Sequence, residues 1–308
     1  MATNLRARKA FDVCVICAKS EEARSVIGTF RKTSGFELIP GRENGFIVAG
    51  SLTVKVTTCI DMGHMSAAVR VAQVITESNP EIIIFVGTAA SLKPSQIQLG
   101  DVVIPKKAVI RRYDKISEKG QPDYDERKQD SAFKEFFFEE TALISELSTI
   151  SYAVEASDLI AALEIDNIAL ESEVGTTMTL GDEELEFRAA KIHDDVDIFS
   201  CGMVIDSIAY RRFITTNAHN NLRKAAIVDM ESHGFFTAIQ SIPKSSINGS
   251  ESNRCHGIMI RGISDYAGRK SQTELRPVKW KDRAVKNAAV VTAALLSVIG
   301  ARALTPDP

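Results

Sequence analysis

The sequence predicts an α/β fold in which a mostly parallel sheet lies between layers of helices. Three observations predict it. Short β-branched runs alternate with helix-period segments through the first third of the chain, as in βαβ units. Ile82 to Val86 is an unbroken apolar run, the pattern of a strand covered on both faces. A length of 308 residues with 44% apolar and 25% charged content suits one large domain, read as 11–308.

Taken in order, Phe11 to Cys17 reads as the first strand. Glu21 to Phe30 reads as a helix entered through Ser20, with acids where the helix dipole favours them. Phe46 to Ala49 and Leu52 to Cys59 form a hairpin about Gly50-Ser51, and Met65 to Thr76 is a helix ended by Asn79-Pro80. Ile82 to Val86 is then a buried strand closed by a turn at Gly87. Asp101 to Ile104 and Ala108 to Arg112 make a further strand with a basic exit. The stretch 117–192 is polar, acidic and without clear period, so it reads as an insertion, with helices near Ser131 to Glu146 and Ala156 to Leu163. Alternation returns with strands at Val196 to Ser200, Ala225 to Val228 and Gly257 to Gly262, and a helix at Glu231 to Gln240. Trp280 to Ile299 closes the chain as an amphipathic helix.

Composition excludes several classes of function. The 37 basic and 40 acidic residues nearly cancel, so no global field holds the chain on nucleic acid or on a membrane, and a small-molecule ligand fits better. The five cysteines are scattered, which points to a reducing, cytoplasmic setting rather than a disulfide framework. No apolar stretch of signal-peptide type follows the basic N-terminus, and Ala288 to Ile299 is too short an apolar run to cross a bilayer. The five histidines lack metal-site spacing, so no metal is expected. Cys14 and Cys17, three apart on a strand, point to opposite faces and cannot act together.

Candidate chemistry lies just beyond the strand ends, where open α/β sheets place their ligands. These positions are Glu22 with Glu21, Thr88, Glu231 and Asp265. An acid in a first helical turn is commonly a cap or a solvated side chain, so their joint placement carries more than any one of them.

Around these positions the sequence resembles the nucleoside phosphorylase and nucleosidase superfamily. The matching segments are Cys17-Ala18-Lys19-Ser20-Glu21-Glu22-Ala23, Asp61-Met62-Gly63-His64-Met65-Ser66-Ala67-Ala68 and Val86-Gly87-Thr88-Ala89-Ala90-Ser91-Leu92. They continue in family order with Leu99-Gly100-Asp101-Val102-Val103, Val228-Asp229-Met230-Glu231-Ser232 and Arg261-Gly262-Ile263-Ser264-Asp265-Tyr266-Ala267. The resemblance implies a three-layer α/β sandwich with a mixed, partly barrel-like sheet, and cleavage of a purine N-ribosidic bond. It also implies a homo-oligomer, a dimer or larger, and no organic cofactor.

The roles carried over by the resemblance each make chemical sense. Asp265 resembles the carboxyl that shares a proton with purine N7, so the base departs neutral. Ser264 precedes it in the same segment. Glu231 resembles the carboxylate that accepts hydrogen bonds from both ribose hydroxyls, and Met230 packs against the sugar. Glu22 resembles the base that activates water, Thr88 beside Gly87 contacts water or ribose, and Val204 with Ile205 shelves the base. Relatives that use phosphate carry arginines where this chain has Glu22 and Phe85, so water is the expected nucleophile and phosphorolysis the alternative. A catalytically inactive nucleotide sensor is the non-enzyme alternative.

Departures bear on the 5′ side. Lys19 stands where methylthioadenosine nucleosidases have an apolar residue, and Ser264 to Gly268 with Trp280 is more similar to nucleosidase-like domains of immune effectors that act on nucleotides. The paired guanidinium groups of Arg211 and Arg212 suit a phosphate chain, whereas Arg111-Arg112 reads rather as a solvated face. The expected substrate is therefore a nucleotide, with methylthioadenosine or S-adenosylhomocysteine as the alternative.

Overall fold

The computed structural model describes residues 11–113, 147–153, 162–216, 224–241, 255–268 and 279–303. The helix expected at Ser131 to Glu146, and nearly all of that at Ala156 to Leu163, lies outside them.

A twelve-stranded sheet forms the middle layer. Its spine is β1 (Val13–Cys17), flanked in parallel by β4 (Leu52–Thr58) and β5 (Ile82–Ser91). β2 (Phe36–Leu38) and β3 (Gly45–Val48) extend it beyond β4 in antiparallel register. β14 (His256–Asp265) runs parallel to β5 along nearly its whole length. Two helices cover one face, α1 (Ser20–Phe30) and α5 (Trp280–Ala303), and two cover the other, α2 (His64–Ser78) and α4 (Ser232–Ser241).

Strand alternation assigns the core to these two faces. Val13, Val15 and Cys17 pack with Ile82, Ile84 and Val86 under α1 and α5. Cys14 and Ile16 pack with Ile83, Phe85 and Phe235 on the opposite side, so Cys14 and Cys17 do point apart. The stretch Trp280–Ala301 in α5 is long and apolar enough to cross a membrane, but Ala284, Ala288, Ala289, Val291 and Leu295 are buried in the core. The resemblance's three layers and mixed sheet are thus what the chain forms.

β5 corrects the sequence reading. It does not stop at Gly87 but continues to Ser91, because β14 pairs with it as far as Ala90. On its other edge the partner changes. Residues 82–86 pair in parallel with β1, and Ala90 and Ser91 pair in antiparallel fashion with β13 (Ala225–Asp229). β5 is therefore a fork, with a gap between its two edge partners at Gly87, Thr88 and Ala89.

The segment expected as one strand from Asp101 to Arg112 is two. β6 (Val102–Val103) joins β14 and β11 (Ile192–His193), whereas β7 (Lys107–Tyr113) joins β12 (Asp197–Ser200) and β8 (Leu147–Ala153). The described part of 117–192 is built into the molecule: β8 extends the sheet, and the hairpin of β9 (Thr177–Leu180) and β10 (Glu183–Glu186) gives Met178, Leu180 and Leu185 to the core. Asp101, fully buried, fastens this region. It accepts from Arg188, His193, the Lys191 N–H and the Gln98 N–H. Burial alone would raise its pKa, but these donors outweigh burial and leave it below its ordinary 3.8.

Candidate active site

The fork opens onto a cavity of about 440 Å³ at the carboxyl ends of β1, β13 and β14. That is the switch point at which open α/β sheets bind ligands. Lys19, Glu22, Thr88, Val204, Ile205, Met230, Glu231, Ser264 and Asp265 all line it. Gly87 lies behind Glu22 rather than on the wall.

Glu22 reaches the cavity from the first turn of α1. Lys19, not Ser20, is the capping residue of that helix: its C=O accepts from Ala23 and its N–H donates to Glu22 Oε2 at 3.1 Å. One carboxylate oxygen thus closes the helix terminus while the other, Oε1, lies 3.4 Å from Thr88 Oγ1. The cap reading and the functional reading describe the same side chain.

Glu231 follows the end of β13 and is 5% exposed. Its Oε1 accepts from the Gly63 N–H at 3.2 Å, and its Oε2 pairs with Arg261 at 3.2 Å. Burial pushes its carboxyl up to about 7 despite Arg261, and the neighbouring charges of Asp229 and Glu22 push the same way. Asp265, half-buried at the end of β14, accepts from the Ala267 N–H at 3.0 Å and from Ser264 Oγ at 3.1 Å. Its bond to Ala267 fixes a tight turn in which that residue takes a positive φ of 51°.

Arg261 is the residue that sequence reasoning missed. It is fully buried on β14 opposite Gly87, its Nε and Nη2 held by Asp229 and its Nη2 also by Glu231. Its guanidinium lies 4.8 Å from the centre of the Phe85 ring, and its Nη1 has no hydrogen-bond partner among the described residues. A Cβ on residue 87 would meet that Nη1 at 2.5 Å and the Glu22 oxygens at 3.4 Å, so only glycine leaves the guanidinium its place. The signal was present: an arginine inside the apolar strand Gly257 to Gly262 must find a buried carboxylate.

The model of the phosphorylase superfamily matches residues 12–299. The chain belongs to that superfamily. Solved structures similar to this superfamily member include futalosine hydrolase of Helicobacter pylori, 14% identical, covering 93% of this chain and 97% of that one with a TM-score of 0.59. Another is the 5′-methylthioadenosine/S-adenosylhomocysteine nucleosidase of H. pylori in complex with butyl-thio-DADMe-Immucillin-A, at 15%, 93%, 97% and 0.56. A third is the corresponding nucleosidase of Colwellia psychrerythraea in complex with adenine, at 17%, 94%, 96% and 0.55. Identities this low establish the shared fold. No curated protein sequence matches.

Two expected binding residues of this phosphorylase-superfamily chain sit elsewhere. Arg211, 2% exposed on α3 (Ile208–Thr216), donates to the Tyr266 C=O at 3.2 Å and pairs with Glu183. Arg212 pairs with Asp182 and Glu183 on the surface. Neither lines the cavity, because the β9–β10 hairpin supplies the acids that hold them; the expectation that they grip a phosphate chain is corrected. Arg111 and Arg112 lie on β7. His64 opens α2, with Nε2 at 2.9 Å from Ser200 Oγ, and burial lowers its pKa. Trp280 both packs on Phe187 and lines the cavity.

Proposed function

We propose that this chain hydrolyses the N-glycosidic bond of purine ribosides, adenine ribosides before others, with water as the nucleophile. The observation that carries the reading is the convergence of Glu22, Glu231 and Asp265 on one cavity at the β5 fork, each from a different strand end. The 5′-methylthioadenosine and adenine bound by structural neighbours support an adenine base.

Each carboxyl has a separate task. Ionised Glu231 accepts hydrogen bonds from the 2′ and 3′ hydroxyls and faces the positive charge that grows on the sugar as the bond lengthens. Asp265, protonated, gives its proton to N7, so the electron pair of the breaking C1′–N9 bond enters a neutral base. Such general-acid help is worth about 10²–10⁴ in rate. Glu22 takes a proton from the water whose oxygen bonds to C1′, and Thr88 orients that water. The products are free base and ribose, or its 5′-substituted form. Arg261 balances the buried charge of Asp229 and Glu231, and a single guanidinium among several carboxylates leaves the site favouring neutral or cationic groups over a phosphate nucleophile.

Chromatography of free base released from a panel of purine ribosides in phosphate-free buffer tests the reading. Release without phosphate, unaccelerated when phosphate is added, is the expected result. Strict phosphate dependence with ribose 1-phosphate as product would overturn hydrolysis in favour of phosphorolysis.

A further inference from the structure

The turn that carries Asp265 is gripped from behind. Tyr266, Ala267 and Gly268 follow it at the end of β14 and are all buried. Gly268 lies so close to the start of α3 that a Cβ on it would meet the Ile208 backbone N at 2.9 Å. A Cβ on Gly181, between β9 and β10, would meet Ile208 Cδ1 at 3.1 Å from another direction. Ile208 therefore stands between the hairpin and the turn.

Arg211, one helical turn further along α3, ties the same three pieces together with hydrogen bonds. Its Nη1 donates to the Tyr266 C=O at 3.2 Å, and its Nη2 donates to both oxygens of Glu183 at 3.1 and 3.3 Å. Burial works against its charge and Glu183 works for it. Arg212 bonds to the same Glu183 carboxylate from the surface and so fixes its position. The carbonyl that Arg211 holds belongs to the residue directly after Asp265. Behind it, Ala267 has a φ of 51°, which a residue with a side chain leaves readily unless something outside the turn holds it. α3 bears on the opposite wall too: Val204 and Ile205 line the cavity just before it, and its Ile214 shares a buried cluster with Ile205 and Ala267. A movement of α3 against the turn would shift the shelf for the base relative to the acid.

We infer that Arg211, held by Glu183, is a positioning residue for the general acid: by fixing the Tyr266 C=O it aims the Asp265 carboxyl at purine N7 without touching the substrate. The inference rests on the riboside reading above, in which Asp265 gives N7 its proton. It also gives the buried arginine of α3 a task that its distance from the cavity lining does not prevent.

The test compares adenosine with 4-nitrophenyl β-D-riboside, whose leaving group departs as a stable anion and needs no proton. In Arg211→Met, kcat for adenosine is expected to fall by about tenfold or more with KM much less affected, while the nitrophenyl riboside stays within about threefold of the wild type. General damage to the site would slow both substrates alike. Glu183 is 35% exposed, so Glu183→Ala keeps the test sound if Arg211→Met fails to fold; it is expected to show the same selective loss, about threefold or more. Equal losses on the two substrates, or no loss in Glu183→Ala, overturn the inference and leave riboside hydrolysis standing. If the wild type cleaves neither substrate, riboside hydrolysis falls, and hydrogen exchange at the Ala267 amide, which bonds to Asp265, still decides. Faster exchange there in the variants, with the amides of β1 unchanged, is the expected result; exchange equal to the wild type overturns the positioning role.

Discussion

Replacing Asp265 by Asn keeps the shape of the side chain and the hydrogen bond from Ala267, but the amide has no acidic proton to give to N7. Base release is expected to fall by about 10²-fold or more with the melting temperature unchanged; a wild-type rate in Asp265→Asn would remove this residue from the mechanism. Glu231 makes a pH prediction. Its carboxyl is raised to about 7, yet the ionised form is the one that accepts two hydroxyl bonds. Binding must therefore release a proton below that pH, and KM is expected to fall as pH rises through about 7. In Glu231→Gln this inflection disappears, and 2′-deoxyribosides, which have already lost one of the two hydroxyls, are penalised less than ribosides. A pH profile of KM identical in wild type and variant would show that another group titrates. For folding the sign is opposite: the raised pKa favours the folded state below Glu231's ordinary 4.5, and that advantage is lost as pH rises toward about 7.

The elements show where sequence reasoning ran out. Helices α1, α2, α4 and α5 and strands β1, β4, β12, β13 and β14 were legible because each carries its own period or apolar run. β2, β8, β9, β10 and β11 were not, since they are short or polar and exist through a partner strand elsewhere in the chain. The reading stopped β5 at Gly87 because glycine ordinarily ends a strand, whereas here it makes room for Arg261 and pairing continues beyond it. Glu22, Glu231 and Asp265 were found from the strand ends, but Asp229 and the guanidinium it holds were not, because Arg261 is hidden inside an apolar strand. Packing between helices gives an element-scale prediction. A Cβ on Gly234 of α4 would lie 1.8 Å from the His64 C=O at the start of α2, a backbone atom that cannot turn aside. Gly234→Ala is therefore expected to cost about 1–3 kcal/mol, read as a lower denaturation midpoint; unchanged stability would mean that the two helices are not in such close contact.

Across the whole molecule, buried ionic groups hold distant segments in place. The Asp101 hub ties residues 188–193 to the turn before β6, and its depressed pKa means that its contribution to stability is present above the ordinary 3.8 and lost as pH falls below it. Asp101→Asn is expected to destabilise the protein by about 3–5 kcal/mol near neutrality, since it leaves the partly buried Arg188 without its partner. The gap between wild type and variant should narrow below about pH 4; a gap that stays constant down to pH 2 would assign the stabilisation to shape rather than charge.

The fork in β5 also bears on the order in which the protein is made. A nascent chain that has emerged as far as residue 113 carries every partner needed to pair β1, β4 and β5, but β13 and β14 are still to be synthesised. Glu22 and Thr88 are then in place beside an open edge, while Asp229, Glu231, Arg261 and Asp265 do not yet exist. Closing the edge joins residues more than a hundred positions apart, which makes it a slow step. Pulse-labelled hydrogen exchange during refolding is expected to protect the amides of β1 and β4 before those of β13, with base release recovering only alongside the later group.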